Sequence, residues 1–181
     1  ALRECALIVL QLEINVETVY HAIAFGREHN IPVLLNPAPA LAGLSREHLA
    51  QLDFLVPNES ELALISGQTV DSPESALNAA QALVASGIRH VIVTLGQQGA
   101  LYVGAEGEFQ VPGLRVDARD TTGAGDAFIG CFIQHWTRSR DIRAAMAQAV
   151  AYSACSVTGL GTQTSYPDAD TFAEFQRAFD A

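Results

Sequence analysis

The sequence predicts an α/β fold in which helices pack on a mostly parallel sheet. Short apolar runs alternate with amphipathic segments along the chain, which is the pattern typical of such a fold. A length of 181 residues is enough for one domain, or the larger part of one, with a buried core. Because the chain has no internal repeat and no low-complexity linker, we treat residues 1–181 as part of a single domain.

The first part of the chain predicts three strands and two helices. Each strand is a short apolar run, and the three are CALIVLQL, PVLLN and FLVP. A helix from Val16 to about Glu28 has apolar residues at helical spacing and ends near Asn30 and Pro32. A second, polar helix spans about Arg46 to Leu52.

Two capped helices and a further strand follow. Asn58 can cap a helix, and Glu61 stands three residues on, where its carboxylate can complete a capping box. That helix ends at Gly67. The next begins at Asp71–Pro73, where a cap residue precedes a proline in the first turn, and ends at Ser86–Gly87. The run HVIVTL then predicts the fourth strand.

The last part of the chain changes in pattern. After Gly96 and Gly99, the runs ALYVG, AEGE and FQVPGLRV predict a hairpin and an edge strand. Three helices complete the chain, from about Ala124 to Thr137, from Asp141 to about Thr158, and from Asp170 to Phe179.

The composition excludes several classes of partner. A net charge of -10 with only ten scattered basic residues disfavours nucleic acid and acidic lipid, which are bound by clustered basic side chains. Cys5, Cys131 and Cys155 show no Cys-x-x-Cys spacing, which argues against disulfide frameworks and zinc sites and favours a reducing cytoplasm. No apolar run reaches about 18 residues and no signal-peptide pattern is present, so no membrane span is predicted.

The first residues and the histidines lead to two smaller expectations. The chain opens with ALRECALIVLQLE, without an initiator Met and already close to a strand pattern, so we expect a C-terminal portion of a longer domain. The five histidines fall at unrelated spacings, and we expect them at the surface or at helix ends rather than on a metal; they are His21, His29, His48, His90 and His135.

The stretch DARDTTGAGDAFIG, residues 117–130, predicts an anion-binding turn. Gly123 and Gly125 flank Ala124 in the first turn of a predicted helix, where backbone N–H groups have no intrahelical partner. The helix dipole adds a partial positive charge there, and small residues let a phosphate approach the backbone. No Lys follows the glycines, so the stretch is not a Walker loop.

Asp126 lies in the same predicted turn, where a carboxylate would repel a bound phosphate unless it served the chemistry. It can accept the proton of a substrate hydroxyl as the oxygen attacks phosphorus. The amides of Gly123 to Asp126 would then stabilise the charge that develops on the phosphoryl group. The alternative is that an acidic residue simply favours a helix N-terminus, and this stretch alone leaves both interpretations open.

Five motifs together resemble the ribokinase-like (PfkB) carbohydrate kinases. They are LNPAPA, PNESE, VTLGQQGALYV, DTTGAGDAF and VTGLGTQTSYP, in one continuous order over nearly the whole chain. QLE together with NPAPA is most similar to the ribokinase branch. The resemblance implies a three-layer α-β-α sandwich, with residues 1–181 as its C-terminal nucleotide-binding and catalytic portion and with the N-terminal part and a β-sheet lid missing.

The resemblance also implies roles for named residues. Asp126 would be the catalytic base and a substrate contact, with Gly123, Ala124 and Gly125 as the anion hole. The nucleotide would contact Asn58, Gly125 and the loop made of Thr94, Leu95, Gly96, Gln97, Gln98 and Gly99. Glu61 would hold Mg²⁺, either directly or through waters, and Glu13 would contact the sugar. The alternatives are a capping box for Asn58 and Glu61, a glycine-rich turn for the loop, and an ordinary surface acid for Glu13.

A monovalent cation site, usually for K⁺, is implied as well. Its ligands, mainly backbone carbonyls, would come from Asp120, Thr122, Ser156, Gly159, Gly161 and Ser165. The alternative is a helix C-terminus closed by Gly159 and Gly161. The sequence departs from the family at Val150, where an Asn or His often contacts the nucleotide, and it contains no Gly-Gly sugar-binding pair.

The resemblance predicts an ATP-dependent kinase acting on a primary hydroxyl of a pentose, with ribose as the first expectation. The alternatives are a kinase for deoxyribose, a nucleoside or another small sugar, and a non-catalytic nucleotide-binding fragment. The implied partners are ATP and a small sugar, and the implied assembly is a homodimer formed through the missing lid. We expect Phe132 and Trp136 to be core residues rather than parts of a site.

Overall fold

The computed structural model describes residues 2–179, which form two compact units. The first unit comprises the chain up to Leu95 together with Leu101–Gln110, and the second comprises Gly96–Ala100 together with the chain from Val111 onwards. Within the described residues, no helix is long and apolar enough to cross a membrane.

Six strands form one sheet in the order β1 to β6. They are β1 (Ile8–Leu10), β2 (Val33–Leu35), β3 (Phe54–Leu55), β4 (His90–Thr94), β5 (Ala100–Gly104) and β6 (Gly107–Val111). The first four pair in parallel, with Ile8 opposite Val33, Leu34 opposite Phe54, and Phe54 opposite His90. Only two residues join β5 to β6, a connection short enough only for an antiparallel hairpin. The prediction of an α/β fold with a mostly parallel sheet is confirmed.

Four helices belong to the first unit, and local sequence sets their ends. They are α1 (Val16–His29), α2 (Arg46–Leu49), α3 (Glu59–Ser66) and α4 (Pro73–Ala85). Asn15 caps α1 by accepting from the Glu17 amide, and Asn30 ends it in the left-handed conformation. Ser72 caps α4 with a proline in the first turn, as predicted.

Apolar side chains from the helices and the central strands make the core of the first unit. Val19 and Ile23 of α1 are fully buried, as their spacing predicted, together with Leu55 of β3, Leu62 of α3 and Val91 of β4. This core holds the carboxyl ends of the parallel strands in place, and in open α/β sheets ligands gather at those ends.

His90 is buried in the first unit, which corrects the expectation of a surface or helix-end position. Its side chain is 6% exposed and stacks on Phe54, because β4 is a central strand with both faces covered. Its Nδ1 lies 2.8 Å from the Tyr102 hydroxyl, which itself accepts a hydrogen bond from the Glu106 amide. The hydroxyl proton of Tyr102 can thus be donated to Nδ1 of a neutral imidazole. Burial, assisted by the charge of Arg89, lowers the pKa of His90 to about 4.

Three further helices belong to the second unit: α5 (Ala124–Ser139), α6 (Ile142–Ser156) and α7 (Ala169–Phe179). Helices α5 and α6 pack closely against each other. Phe132 is fully buried and Trp136 is 8% exposed, so both are core residues, as expected. Asp141 caps α6 by accepting from the Ala144 amide at 2.9 Å. This packing fixes the first turn of α5, which carries the predicted catalytic residues.

Three elements differ from the sequence-based expectation. The strand β1 covers only part of CALIVLQL, and Val9 is 43% exposed, because β1 lies at an edge of the described sheet. The strand β6 ends at Val111, since Pro112 has no N–H for a ladder and Gly113 packs against the Gln97 carbonyl. Helix α2 ends at Leu49 rather than Leu52 and continues as a turn.

Candidate active site

The DTTGAGDAF motif forms the first turn of α5. Gly123 is the N-cap in the left-handed conformation (φ 79°), with no side-chain cap. The Ala124 amide donates to the Thr121 carbonyl at 3.2 Å, so this predicted anion-hole donor has a partner inside the turn, and its contact with a ligand stays a prediction. Within residues 2–179, the amides of Gly123 and Gly125 donate to no backbone carbonyl, and they stay candidate donors to a phosphate.

Gly123 and Gly125 differ in what an added side chain would contact. A Cβ on Gly123 would lie 2.7 Å from the Tyr166 hydroxyl, on a backbone that side chains rarely adopt. A Cβ on Gly125 would meet no heavy atom within 4 Å. The fold therefore requires glycine at position 123, whereas at position 125 the structure gives no internal reason for it.

Asp126 lies in the first turn of α5 and is exposed. Burial and then the negative charge of Asp126 raise the pKa of Tyr166, so the carboxylate is close enough to act electrostatically on that hydroxyl. The carboxylate belongs to the residue that follows Gly125. Its role as base stays a prediction.

Asn58 and Glu61 form a complete capping box at the start of α3. Asn58 Oδ1 accepts from the Glu61 amide at 2.9 Å and from the Ser60 hydroxyl at 2.7 Å. Glu61 Oε2 accepts from the Asn58 amide at 2.9 Å, and Glu61 is only 6% exposed. The structural alternative is therefore confirmed. It does not exclude binding, because the cap uses Oδ1 of Asn58 and not its side-chain NH₂ group.

The strand end of the predicted nucleotide loop lies beside this box. Thr94 pairs with Asn58 as a parallel bridge, and its amide donates to the Pro57 carbonyl at 2.9 Å. Leu95 is buried at 4% exposure, which leaves its backbone as the part able to contact a ligand. In the first unit, then, Asn58, Glu61 and Thr94 come together.

The rest of that loop is a tight turn in the second unit. Gly96–Gln98 form one turn of 3-10 helix, and the Gly99 amide donates to the Gly96 carbonyl at 3.1 Å. Gly99 packs directly against the backbone of residues 111–113. Gly96, Gln97 and Gln98 are exposed. The glycine-rich turn is thus present, and nucleotide contact stays a prediction.

Glu61 and Glu13, which are predicted to contact Mg²⁺ and the sugar, are not part of a cluster of metal-binding side chains within the described residues. Among residues 2–179, no group of three His, Cys, Asp or Glu side chains could hold a metal ion. A lone carboxylate such as Glu61 fits Mg²⁺ held largely through waters, since this ion sheds its hydration shell reluctantly. Glu13 is exposed, just beyond the carboxyl end of β1. Next to it, the Leu12 amide donates to Ala38 of the LNPAPA motif at 2.8 Å.

Asp120 ties the segment before α5 to the loop after α6. Its Oδ1 accepts from the Thr122 amide and its Oδ2 from the Gly161 amide, both at 2.9 Å. Hydrogen bonds from Thr122, and then the one from Gly161, lower the pKa of Asp120. The Asp120 amide also donates to the Val157 carbonyl at 3.3 Å. Three predicted cation ligands are thus brought together.

The other three predicted cation ligands form the turn that ends α6. The Gly159 amide donates to the Ser156 carbonyl at 3.3 Å, and a Cβ on Gly159 would lie 3.0 Å from the Ser165 Cβ. Both serine hydroxyls donate to local carbonyls, so backbone oxygens would be the ligands. This oxygen-rich loop fits a hard monovalent cation. The alternative, a helix C-terminus closed by Gly159 and Gly161, is not observed in that form, because the C-cap is Val157 in the right-handed conformation and of the two glycines only Gly161 has a positive φ.

Two contacts to the first turn of α5 were not predicted. The Ser153 hydroxyl donates to the Ala124 carbonyl at 2.9 Å, and the Tyr166 hydroxyl donates to the Gly123 carbonyl at 3.1 Å. Sequence reasoning gave no signal for either, because 29 and 43 residues separate the partners. Val150, where the family pattern is broken, is 7% exposed in α6.

Comparisons with known proteins agree with the geometry. The chain is 52% identical over 174 residues to a deoxyribokinase of Salmonella typhi, covering 96% of this chain and 57% of that protein. It is 40% identical over 168 residues to a ribokinase of Schizosaccharomyces pombe, covering 90% of this chain and 52% of that one. The chain therefore spans about half the length of the curated relatives that it matches.

Solved structures show the same fold. A ribokinase from Thermotoga maritima has a TM-score of 0.87 at 33% identity, over 97% of this chain and 58% of that one. An Arabidopsis thaliana ribokinase complexed with ribose and ATP has a TM-score of 0.89 over 96% of this chain and 56% of that one, and at 24% identity it shows the fold alone. Residues 2–169 match the pfkB family of carbohydrate kinases. The chain belongs to the pfkB family of carbohydrate kinases.

Proposed function

We propose that the full-length protein is an ATP-dependent kinase that transfers the γ-phosphoryl group to a primary hydroxyl of a pentose. One observation carries the proposal. The first turn of α5 presents the Gly125 amide without a backbone carbonyl partner within residues 2–179, and the exposed Asp126 is the next residue. A donor for developing negative charge and an acceptor for a proton thus stand side by side.

The proposed step is an in-line displacement at the γ-phosphorus. The sugar oxygen forms a bond to phosphorus as the bond from phosphorus to the leaving ADP oxygen breaks, and Asp126 accepts the hydroxyl proton. The Gly125 amide, with that of Gly123, stabilises the charge on the transferred group. Bound Mg²⁺ would neutralise charge on the nucleotide phosphates, and Glu61 would hold it through waters.

The comparisons favour 2-deoxyribose over ribose as the acceptor. Identity is 52% to the deoxyribokinase but 40% to the ribokinase. We therefore replace ribose, the first expectation, with deoxyribose, which the sequence analysis gave as an alternative. A site that hydrogen-bonds a hydroxyl discriminates strongly against an analogue lacking it, whereas a site without such bonds discriminates weakly against the hydroxyl. A deoxyribose kinase should therefore retain some turnover with ribose.

Three further parts of the proposal rest on the family resemblance. We propose K⁺ as an activator, supported by the clustering of Asp120, Thr122 and Gly161 with the turn that ends α6. A homodimer and a cytoplasmic location complete the proposal. The three cysteines, Cys5, Cys131 and Cys155, form no disulfide within the described residues, which is consistent with a reducing compartment.

Coupled detection of ADP release tests the proposal. The full-length protein and the 181-residue chain are assayed side by side with Mg-ATP, with and without 2-deoxyribose, ribose or a nucleoside. We expect sugar-dependent release from the full-length protein, with the largest kcat/KM on 2-deoxyribose, and little from the 181-residue chain. Nucleotide binding by the full-length protein without any sugar-dependent release would instead support the non-catalytic alternative.

A further inference from the structure

Two side chains hold the carbonyl groups of the first turn of α5 from outside the helix. Ser153 of α6 donates to the Ala124 carbonyl at 2.9 Å. Tyr166, which follows the predicted cation ligand Ser165, donates to the Gly123 carbonyl at 3.1 Å. We refer to Ser153 and Tyr166 as the carbonyl clamp. Both side chains are half-buried, and all four residues belong to the second unit.

The Ser153 bond of the clamp fixes the peptide plane that carries the Gly125 amide, and the Tyr166 bond fixes the plane before it. Because a peptide unit is planar and trans, holding its carbonyl also sets the direction of the N–H on the following residue. The carbonyl of Ala124 and the amide of Gly125 share one plane, so the bond from Ser153 orients the Gly125 N–H. That amide donates to no backbone carbonyl within residues 2–179.

The preceding plane is held at both ends. The Gly123 carbonyl accepts from Tyr166 and also from the Ala127 amide at 2.9 Å, which occupies both of its lone pairs. On the other side, the Ala124 amide donates to the Thr121 carbonyl. The Tyr166 hydroxyl stands only 2.7 Å from where a Cβ on Gly123 would lie. The turn is thus locked in one conformation before any ligand binds.

We propose that Ser153 and Tyr166 are positioning residues of the phosphoryl-transfer site, which aim the Gly125 amide at the outermost phosphate of the nucleotide without touching it. The inference rests on the proposed function. A donor preorganised toward the place where charge develops needs no rearrangement during the reaction. Loss of the clamp should therefore reduce the rate of transfer and the contribution of the outermost phosphate to binding, and leave binding of the sugar unchanged.

The test compares Ser153→Ala and Tyr166→Phe, singly and together, in the full-length protein. Each variant has a matched control. Ser139→Ala removes a serine hydroxyl that donates to a carbonyl at the far end of α5, and Tyr152→Phe removes a tyrosine hydroxyl that donates to the Pro167 carbonyl. We measure kcat, the KM for the sugar, and the ratio of the affinities for β,γ-methylene-ATP and for ADP, which lacks the outermost phosphate.

Each clamp variant should lower kcat and the affinity ratio about three- to tenfold, as the loss of one hydrogen bond to a positioned group would, with the sugar KM unchanged. The control variants should keep the wild-type kcat and the wild-type affinity ratio. Alanine favours helices more than serine does, which offsets part of the lost hydrogen bond, so a thermal melt should show Ser153→Ala fully folded at the assay temperature.

The inference would be overturned by an unchanged affinity ratio in both clamp variants, or by an equal fall in the controls. A wild-type protein that neither turns over nor prefers the triphosphate analogue to ADP would instead refute the proposed function itself.

Discussion

Gly125→Ala separates a structural role for this glycine from a functional one. Position 125 is the second residue of α5, and a Cβ placed there meets no heavy atom within 4 Å. Its φ also lies outside the range that strains other residues. Alanine is up to about 1 kcal/mol more favourable than glycine inside a helix, so the fold should keep its stability or gain a little.

The effect on activity should be large by comparison. If a phosphate must approach the Gly125 amide closely, a methyl group on the same residue hinders that approach and loses one donor to the developing charge. Loss of one such donor lowers kcat by roughly 100- to 1,000-fold. We expect a fall of that order in sugar-dependent ADP release, with an unchanged or slightly higher Tm.

Gly130→Ala is the matched control. Gly130 is exposed on the same helix, and a Cβ there also meets no heavy atom within 4 Å. Five residues place it about 7.5 Å further along the axis and on a different face from Gly125. It should keep full activity. Full activity in Gly125→Ala as well would show that no ligand approaches this part of the turn, and the reasoning would be refuted.

Three other predictions concern the base, the metal contact and the buried histidine. Asp126→Asn should lower kcat by roughly 100-fold or more while ADP still binds, as measured by coupled assay and calorimetry; sustained turnover would remove the base assignment. Glu61→Gln keeps an oxygen that can accept from the Asn58 amide but loses the negative charge. It should therefore raise the Mg²⁺ concentration that gives the half-maximal rate. Glu59→Gln, a change in the same helical turn, should leave that concentration unchanged. The pKa of His90 is about 4 in the folded protein and 6.5 in the unfolded chain. Between these two pH values the unfolded chain therefore binds more protons than the folded protein. The free energy of unfolding should fall by roughly 3 kcal/mol as the pH drops from above 6.5 to below 4. Urea unfolding across this pH range measures that loss. If the free energy of unfolding of His90→Phe fell just as steeply with decreasing pH, the prediction would be contradicted.

Local sequence predicted those parts of the molecule that local physics decides. The capping box of Asn58 and Glu61 was read correctly because its partners are three residues apart and the exchange of hydrogen bonds is fixed by helix geometry. The proline after Ser72 likewise marked the start of α4. The alternation of apolar runs and amphipathic segments was enough for the α/β class.

What the sequence could not predict depends on contacts between distant residues. Nothing near Gly123 shows that Tyr166 holds its carbonyl. The burial of His90 follows from its central strand and from Tyr102, twelve residues away. The half-exposed β1 depends on its place at the sheet edge, which the apolar run CALIVLQL does not encode.

NMR of the Gly125 amide tests the account most directly. In ¹⁵N-labelled protein titrated with β,γ-methylene-ATP and Mg²⁺, the Gly125 amide proton should move downfield and saturate with the nucleotide, and ADP should move it far less. The Gly130 amide should stay in place with both nucleotides. A Gly125 signal that does not respond while the nucleotide saturates the protein would contradict the claim that this turn holds the outermost phosphate on its main-chain nitrogen.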